Sequence, residues 1–208
     1  MDEPSDPHSI RTVEQLREVI REPTAPVVRE VIVGRSIDAM AREFIAASPF
    51  LLLATADASG AIDISPKGDP AGFVHVLDET TLLIPDRAGN RMAIGHSNLL
   101  QSPEVALLFL IPGTGETLRV TGTADLTRDP ALLERLAARG KPALLVVRIR
   151  VREVFFHCPR AFMRSELWRP ERWPERHPVS VGRFLAARLQ QDDRFATAVD
   201  EQFKKQGL

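Results

Sequence analysis

Two arginines and an asparagine stand close together directly after an apolar segment of the chain. Arg87 and Arg91 lie four residues apart, with Asn90 between them, in the stretch IPDRAGNRM. Guanidinium groups make charge-assisted, often bidentate hydrogen bonds to oxyanions, and a helix start adds backbone N–H groups with partial positive charge. The pattern therefore suits a phosphate monoester. The same spacing also fits two solvated arginines on a helix surface, and composition alone does not decide between the two interpretations.

The composition of the chain limits the kinds of binding partner and the cellular compartment that we expect for it. It has 208 residues, a formal net charge of −1, 44% hydrophobic residues and 26% charged residues. This near-neutrality argues against a nucleic-acid-binding surface, and no apolar run approaches the roughly 20 residues of a membrane span. The acidic start MDEPSDPHSIR lacks the apolar core of a secretion signal, and the single cysteine, Cys158, excludes an internal disulfide. We therefore expect a cytoplasmic protein without nucleic-acid or membrane partners.

The elements that must position the arginines are mostly strands. From residue 50 onward, short apolar or alternating runs are separated by turn sequences such as DASG and PGTG, which predicts six or seven antiparallel strands. Helices are predicted between them, including one over residues 36–48 capped by Ser36 and one from Pro130 that ends at Gly140. This order of elements indicates a mainly β, α+β fold, a split β-barrel with peripheral helices.

Three regions follow from the same pattern. Residues 1–35 are predicted to form an N-terminal arm with a short helix that Thr12 can cap. Residues 36–168 are predicted to form the barrel. Residues 169–208 are predicted to form a proline- and arginine-rich loop followed by helices that pack on the barrel or on a dimer partner.

A metal or proton-transfer site is the competing chemistry. His157 and Cys158 are adjacent, but one histidine and one cysteine cannot complete a zinc site and the sequence offers no second cluster. We therefore predict no metal site and favour a packing role for both residues. His75 and His96 could donate protons to a substrate. His75 alternates with apolar neighbours on a strand, which favours a solvated outward face, and the position of His96 on a helix behind the arginine pair favours a structural role.

Four segments in register resemble the pyridoxamine 5'-phosphate oxidase-like family of FMN-binding split barrels. The resemblance is closest to a bacterial subfamily of FMN-dependent proteins of unassigned activity. The segments cover roughly residues 48–168 and read SPFLLLATADASGAIDISPKGDPAGFV, LLIPDRAGNRM, NLLQSPEVALLFLIPGTGETLRVTGTADL and VREVFFHCPRAFMRSELW. This resemblance implies a homodimer with FMN bound at the subunit interface.

The resemblance also implies which residues contact FMN. Arg87, Asn90 and Arg91 would hold the phosphate, with Lys67 as a nearby cation. The other implied contacts are backbone groups of Ile64, Ser65, Pro66, Ile84 and Pro85 along the ring, Thr117 at the flavin edge, and Arg164, Ser165 and Trp168 near the flavin of the second subunit. Pyridoxamine-phosphate oxidases usually carry glutamine at the position of Thr117, and their C-terminal substrate motif has no equivalent here. Both departures argue against that particular activity.

The predicted function is an FMN-dependent oxidoreductase that acts on an unidentified small molecule, with NAD(P)H among the candidate electron donors. A flavin would supply the redox chemistry, while the protein would bind and orient it. No catalytic acid or base is identifiable in the sequence. Two alternatives stay open: a flavin-binding protein without turnover, and a haem or F420 binder on the same scaffold.

Overall fold

The computed structural model describes residues 6, 8–22, 31–89, 91–175 and 179–207. Two compact units divide the chain, Met1–Trp168 and Arg169–Leu208. The strands are β1 (Phe50–Ala56), β2 (Ile62–Gly68), β3 (His75–Val76), β4 (Thr81–Pro85), β5 (Glu104–Leu110), β6 (Thr117–Thr127) and β7 (Val146–His157). The helices are α1 (Val13–Val19), α2 (Ala39–Ala47), α3 (Ile94–Leu99), α4 (Pro130–Arg135), α5 (Arg160–Ser165), a 3₁₀ helix (Pro170–Arg172), α6 (Val181–Leu189) and α7 (Asp193–Gly207). No helix within the described ranges is long and apolar enough to cross a bilayer.

The seven strands form one antiparallel sheet in the order β2-β1-β5-β6-β7-β4-β3. The sheet is open, because β2 and β3 lie at its two edges. Nevertheless, Lys67 on β2 forms an ion pair with Asp86, which directly follows β4 near the opposite edge. A sheet whose distant strands meet in this way must curl on itself, which is the geometry of a barrel that is split rather than closed. The predicted fold class is confirmed.

Strand alternation places the main core inside the curled sheet. In β1 and β5 every second residue is buried, which brings Leu51, Leu53, Leu107 and Phe109 together. Strand β4 is buried along its whole length because its two faces meet different cores. Leu83 packs in a small second cluster beside α4, and its neighbours in the strand belong to the main core. Burial on both faces fixes β4, and therefore also the start of the segment that follows it.

A β-bulge interrupts the pairing of the two longest strands. The register between β6 and β7 shifts between Thr121 and Gly122. A Cβ atom on Gly122 would collide with the carbonyl oxygen of Arg150 on β7. Only glycine permits this close approach of two backbones, and bulges of this kind increase the local twist that a barrel requires.

Two helices differ from the sequence-based expectation at their ends. Helix α2 is capped by Asp38, whose Oδ1 accepts a hydrogen bond from the Ala41 N–H at 2.7 Å, and not by Ser36. The reason is tertiary, because the N–H of the buried Ile37 donates to the Glu79 carbonyl in the turn between β3 and β4, which keeps Ile37 outside the helix. Helix α4 ends at Arg135 instead of reaching Gly140, since a tight turn replaces the last predicted helical residues.

Candidate functional site

An open cleft of about 730 Å³ lies between β2 and the segment that follows β4. Residues 63–69 line it from β2 and the turn after that strand, and residues 85–89 and 91–96 line it from the other side. Phe73 and Leu144 complete the described lining. Sites for small molecules and cofactors are concave and commonly have volumes of several hundred cubic ångströms. The split in the barrel therefore creates a cleft large enough for a small molecule or cofactor.

The cleft brings together residues that the sequence analysis selected from two separate segments. The predicted residues that line it are Ile64, Ser65, Pro66, Lys67, Pro85, Arg87 and Arg91. Asn90 lies outside the described residues. Ile84 is buried in the core of the sheet, and Thr117 is buried at the start of β6, so neither side chain lines the cleft.

The predicted contacts from the end of the barrel also lie apart from the cleft lining of their own chain. Arg164 and Ser165 close helix α5 and are exposed, and the Ser165 hydroxyl donates to the Phe162 carbonyl at 3.3 Å. Trp168 stacks on Phe162 with 5.6 Å between ring centroids and 7° between ring planes. The indole Nε1 of Trp168 is buried and has no hydrogen-bond partner among the described residues.

Arg87 is held on two sides of its guanidinium group. Its Nε donates to Asp69 Oδ2 at 3.0 Å, and its Nη2 donates to the Leu136 carbonyl at 2.9 Å, just beyond α4. Nη1 is buried and has no hydrogen-bond partner within the described ranges. A buried donor without a partner is costly, and a bound anion would satisfy it. Arg87 therefore offers a pre-oriented donor group at the cleft.

Asp86 lies between the side chains of Lys67 and His96 at the same end of the cleft. Its Oδ1 is 3.6 Å from Lys67 Nζ and 3.4 Å from His96 Nε2. Burial alone would raise the pKa of Asp86, but its interactions with His96 and Lys67 outweigh burial and hold that pKa below its ordinary value. Asp86 is therefore ionised at neutral pH, and it partly neutralises the cations around it.

The loop between β4 and α3 carries unusual backbone conformations. Arg91 and Ala93 have φ values of +62° and +51°, the left-handed region that residues other than glycine rarely adopt. Helix α3 begins only at Ile94, so both arginines belong to the loop and the interpretation of them as helix-surface residues is wrong. The side chain of Arg91 is exposed.

Helix α3, which follows this loop, is fixed to β1 by the buried Asn98. The Asn98 side-chain amide donates a hydrogen bond to the Thr55 hydroxyl at 3.1 Å.

Sequence reasoning missed the partners that orient the cations. It assigned no role to Asp69 or Asp86, and it placed His96 behind the arginine pair. In the folded chain, Asp69 and Asp86 are the partners of these cations. One usable signal was present, because each of the two segments carries an acid within two residues of a cation, Lys67 with Asp69 and Asp86 with Arg87. The Lys67–Asp86 and Arg87–Asp69 ion pairs run across the two segments and not within them, and only folding could show that.

Comparison with known proteins gives a family match. The family model for pyridoxamine 5'-phosphate oxidase matches residues 37–158, which is more than half of the chain. No curated protein sequence matches the chain significantly. The match spans the barrel, including both segments that line the cleft.

Several solved structures are similar to part of this chain. HupZ of Group A Streptococcus is 20% identical, with 58% of this chain and 93% of that chain covered and a TM-score of 0.48. A provisionally named pyridoxamine 5'-phosphate oxidase from Lactobacillus delbrueckii is 25% identical, with 59% and 95% covered and a TM-score of 0.46. An FMN-binding protein from Syntrophomonas wolfei is 12% identical, with 70% and 93% covered and a TM-score of 0.46. On the strength of the family match, the chain belongs to the pyridoxamine 5'-phosphate oxidase family.

Proposed function

We propose that this chain binds FMN in the cleft between β2 and the segment after β4, and that it is an FMN-dependent oxidoreductase acting on a small molecule. The observation that carries the proposal is Arg87, which lines the cleft with a buried Nη1 that has no hydrogen-bond partner in the described part of the chain. Such a donor suits the terminal phosphate of FMN. When bound, the flavin supplies the electron-transfer chemistry, and the protein supplies binding, orientation and a tuned electrostatic environment.

The phosphate end of the ligand is assigned to the cations of the cleft. Arg87 is pre-oriented by Asp69 and by the Leu136 carbonyl, so it loses little side-chain entropy on binding. Lys67 and Arg91 line the same cleft and add positive charge. Each charge-assisted hydrogen bond to the phosphate contributes about 1.5–3 kcal/mol.

The ring end of the ligand is assigned to β2. This strand is an edge strand whose described pairing is with β1 alone, so its outer backbone N–H and C=O groups can hydrogen-bond to a ligand. Ile64, Pro66 and Pro85 line the cleft beside that edge and give it apolar surface for a flat ring. Backbone donors and acceptors next to apolar side chains match the polar pyrimidine edge and apolar faces of a flavin.

A homodimer is part of the proposal. Ile62 and Ile64 lie on one face of β2 and are 74% and 61% exposed, and Met92 on the facing loop is 64% exposed. Apolar side chains at the rim of a cleft are typical of surfaces covered by another chain. Because Trp168 does not line the cleft of its own chain, we assign it, with Arg164 and Ser165, to the cleft of the second copy.

The visible spectrum and flavin content of the purified protein test this assignment. We expect a yellow protein that releases FMN on denaturation, and an Arg87→Ala variant whose FMN affinity is about 10- to 100-fold lower through the loss of charge-assisted bonds. Arg148→Ala is the matched control, since Arg148 is exposed, paired with Asp125 and absent from the cleft. Equal FMN affinity in the two variants would contradict the phosphate assignment. Anaerobic reduction by NADH or NADPH then tests turnover, and a flavin that no donor reduces would indicate a binding protein.

A further inference from the structure

His96 is a titratable group in the cleft that the proposed FMN contacts do not use. Its Nε2 lies 3.4 Å from Asp86 Oδ1, and Lys67 Nζ lies 3.6 Å from the same oxygen. The His96, Asp86 and Lys67 side chains are 16%, 19% and 22% exposed, and all three residues line the cleft. Nε2 is buried and makes no well-formed hydrogen bond with any described residue. The Asp86 carboxylate is therefore shared by Lys67, which is charged, and by His96, which is charged only when protonated.

Helix α3, which carries His96, packs against β1, β2 and β6, so charged groups near the imidazole come from these strands and from the loop before α3. Strand β1 carries no ionisable residue. The ionisable residues on the other neighbouring segments are Asp63, Lys67 and Asp69 of β2 and its turn, Asp86, Arg87 and Arg91 of the loop, and Arg119 and Asp125 of β6. Asp69 pairs with Arg87, Asp125 pairs with Arg148, and Arg119 lies over the Phe155 ring. The Asp63 carboxylate lies beside Gly95 at the start of α3, and Arg91 is exposed on the loop. The charged groups paired in the His96 cluster itself are Asp86 and Lys67.

We propose that protonated His96 completes the anion-binding set of the cleft, so that an anionic ligand binds together with a proton. With His96 neutral, Asp86 and Lys67 cancel each other. With His96 protonated, two cations share one carboxylate, and the cleft gains one positive charge that an oxyanion can use. The inference rests on the proposed function, because the oxyanion meant here is the phosphate of FMN.

The sign and size of the effect follow from proton linkage. A histidine gains its charge as the pH falls, whereas a phosphate monoester loses its second charge only near pH 6. If a bound phosphate favours the imidazolium about tenfold, FMN affinity rises severalfold as His96 becomes protonated, and a fraction of a proton is taken up per FMN bound. Riboflavin lacks the phosphate, so its affinity is expected to stay flat as His96 becomes protonated.

The experiment compares wild-type protein, His96→Gln and His75→Gln. Dissociation constants for FMN and riboflavin are measured by fluorescence at pH 8.0, 7.2 and 6.5. Proton uptake is measured by calorimetry in two buffers with different ionisation enthalpies. His75→Gln is the matched control because His75 is also half-buried but contacts Arg135 and does not line the cleft. We expect FMN affinity to rise severalfold from pH 8.0 to pH 6.5 in wild-type protein and His75→Gln, and this rise to be lost in His96→Gln.

The outcomes separate this inference from the proposed function. The same pH slope in wild-type protein and His96→Gln would overturn the inference while FMN binding stands. No FMN binding at any pH would overturn the proposed function and the inference with it. If His96→Gln does not fold, the wild-type calorimetry decides. If fixed cations alone selected the dianionic phosphate, FMN would release protons on binding and not take them up. The absence of proton uptake at pH 7 would therefore overturn the role of His96.

Discussion

Asp86→Asn is the substitution whose consequences the structure defines most sharply. Asparagine has nearly the shape of aspartate, so the change removes a charge and leaves the backbone contacts intact. The Asp86 N–H still donates to Leu145, and its carbonyl still accepts from Leu144, at 2.9 and 3.1 Å. What changes is that Lys67 and His96 no longer face a carboxylate. We expect a folded variant of lower stability.

The magnitude follows from the burial and distances of this cluster. Exposed ion pairs contribute about 0–1 kcal/mol, and breaking a fully buried pair costs about 3–5 kcal/mol. Asp86 is 19% exposed, and His96 Nε2 and Lys67 Nζ lie 3.4 and 3.6 Å from its Oδ1, so the cluster falls between these limits. We expect the free energy of unfolding to fall by about 1.5 kcal/mol at pH 6, a decrease in Tm of about 3–6 °C for a chain of this size.

The pH dependence gives the prediction a sign. Burial acts to raise the pKa of Asp86, but His96 and Lys67 lower it further than burial raises it. A carboxyl group whose pKa is lowered in the folded state stabilises the protein above its unfolded value of 3.8, and this stabilisation is lost as the pH falls through the lower folded pKa. The difference between wild-type protein and Asp86→Asn is therefore full at pH 6 and shrinks below pH 3.8.

Urea unfolding followed by circular dichroism at pH 6, 4.5 and 3 measures this difference. Asp125→Asn is the matched control, because Asp125 also pairs with an arginine, Arg148, but is 51% exposed. We expect it to cost no more than about 0.5 kcal/mol. Equal effects of the two substitutions at pH 6, or a difference that grows on acidification, would refute the reasoning.

Two further predictions concern the bulge and the rim of the cleft. Gly122→Ala places a Cβ against the Arg150 carbonyl, so we expect a loss of about 3 kcal/mol in the free energy of unfolding, and an unchanged urea midpoint would contradict the bulge geometry. Ile62→Asp adds a charge to an apolar residue that is 74% exposed on β2, so we expect a folded monomer by light scattering where the wild-type chain is a dimer. A dimer of unchanged mass and affinity would argue against an interface on this face.

The local elements of this protein could be predicted from the sequence because their signals are local. A continuous apolar run identified β1, and alternation identified β2. A threonine followed three residues later by glutamine marked the start of α1, where Thr12 and Gln15 form a capping box. Asp129 followed by Pro130 likewise marked the start of α4. Each signal depends on residues within one helical turn or one strand, where distances are set by covalent geometry.

Tertiary structure decided how the charges of the site pair. The sequence identified Arg87, Arg91 and Lys67 by residue type and by resemblance, but it could not show that Arg87 pairs with Asp69 or that Asp86 pairs with Lys67. These pairs join β2 to the segment after β4, which are far apart in strand order and meet only because the sheet curls. The role that we propose for His96 likewise depends on folding, because Lys67 of β2 reaches the same Asp86 carboxylate only in the curled sheet. Electrostatic interaction falls with distance through space and not along the chain, so the chemistry of the cleft belongs to the folded barrel.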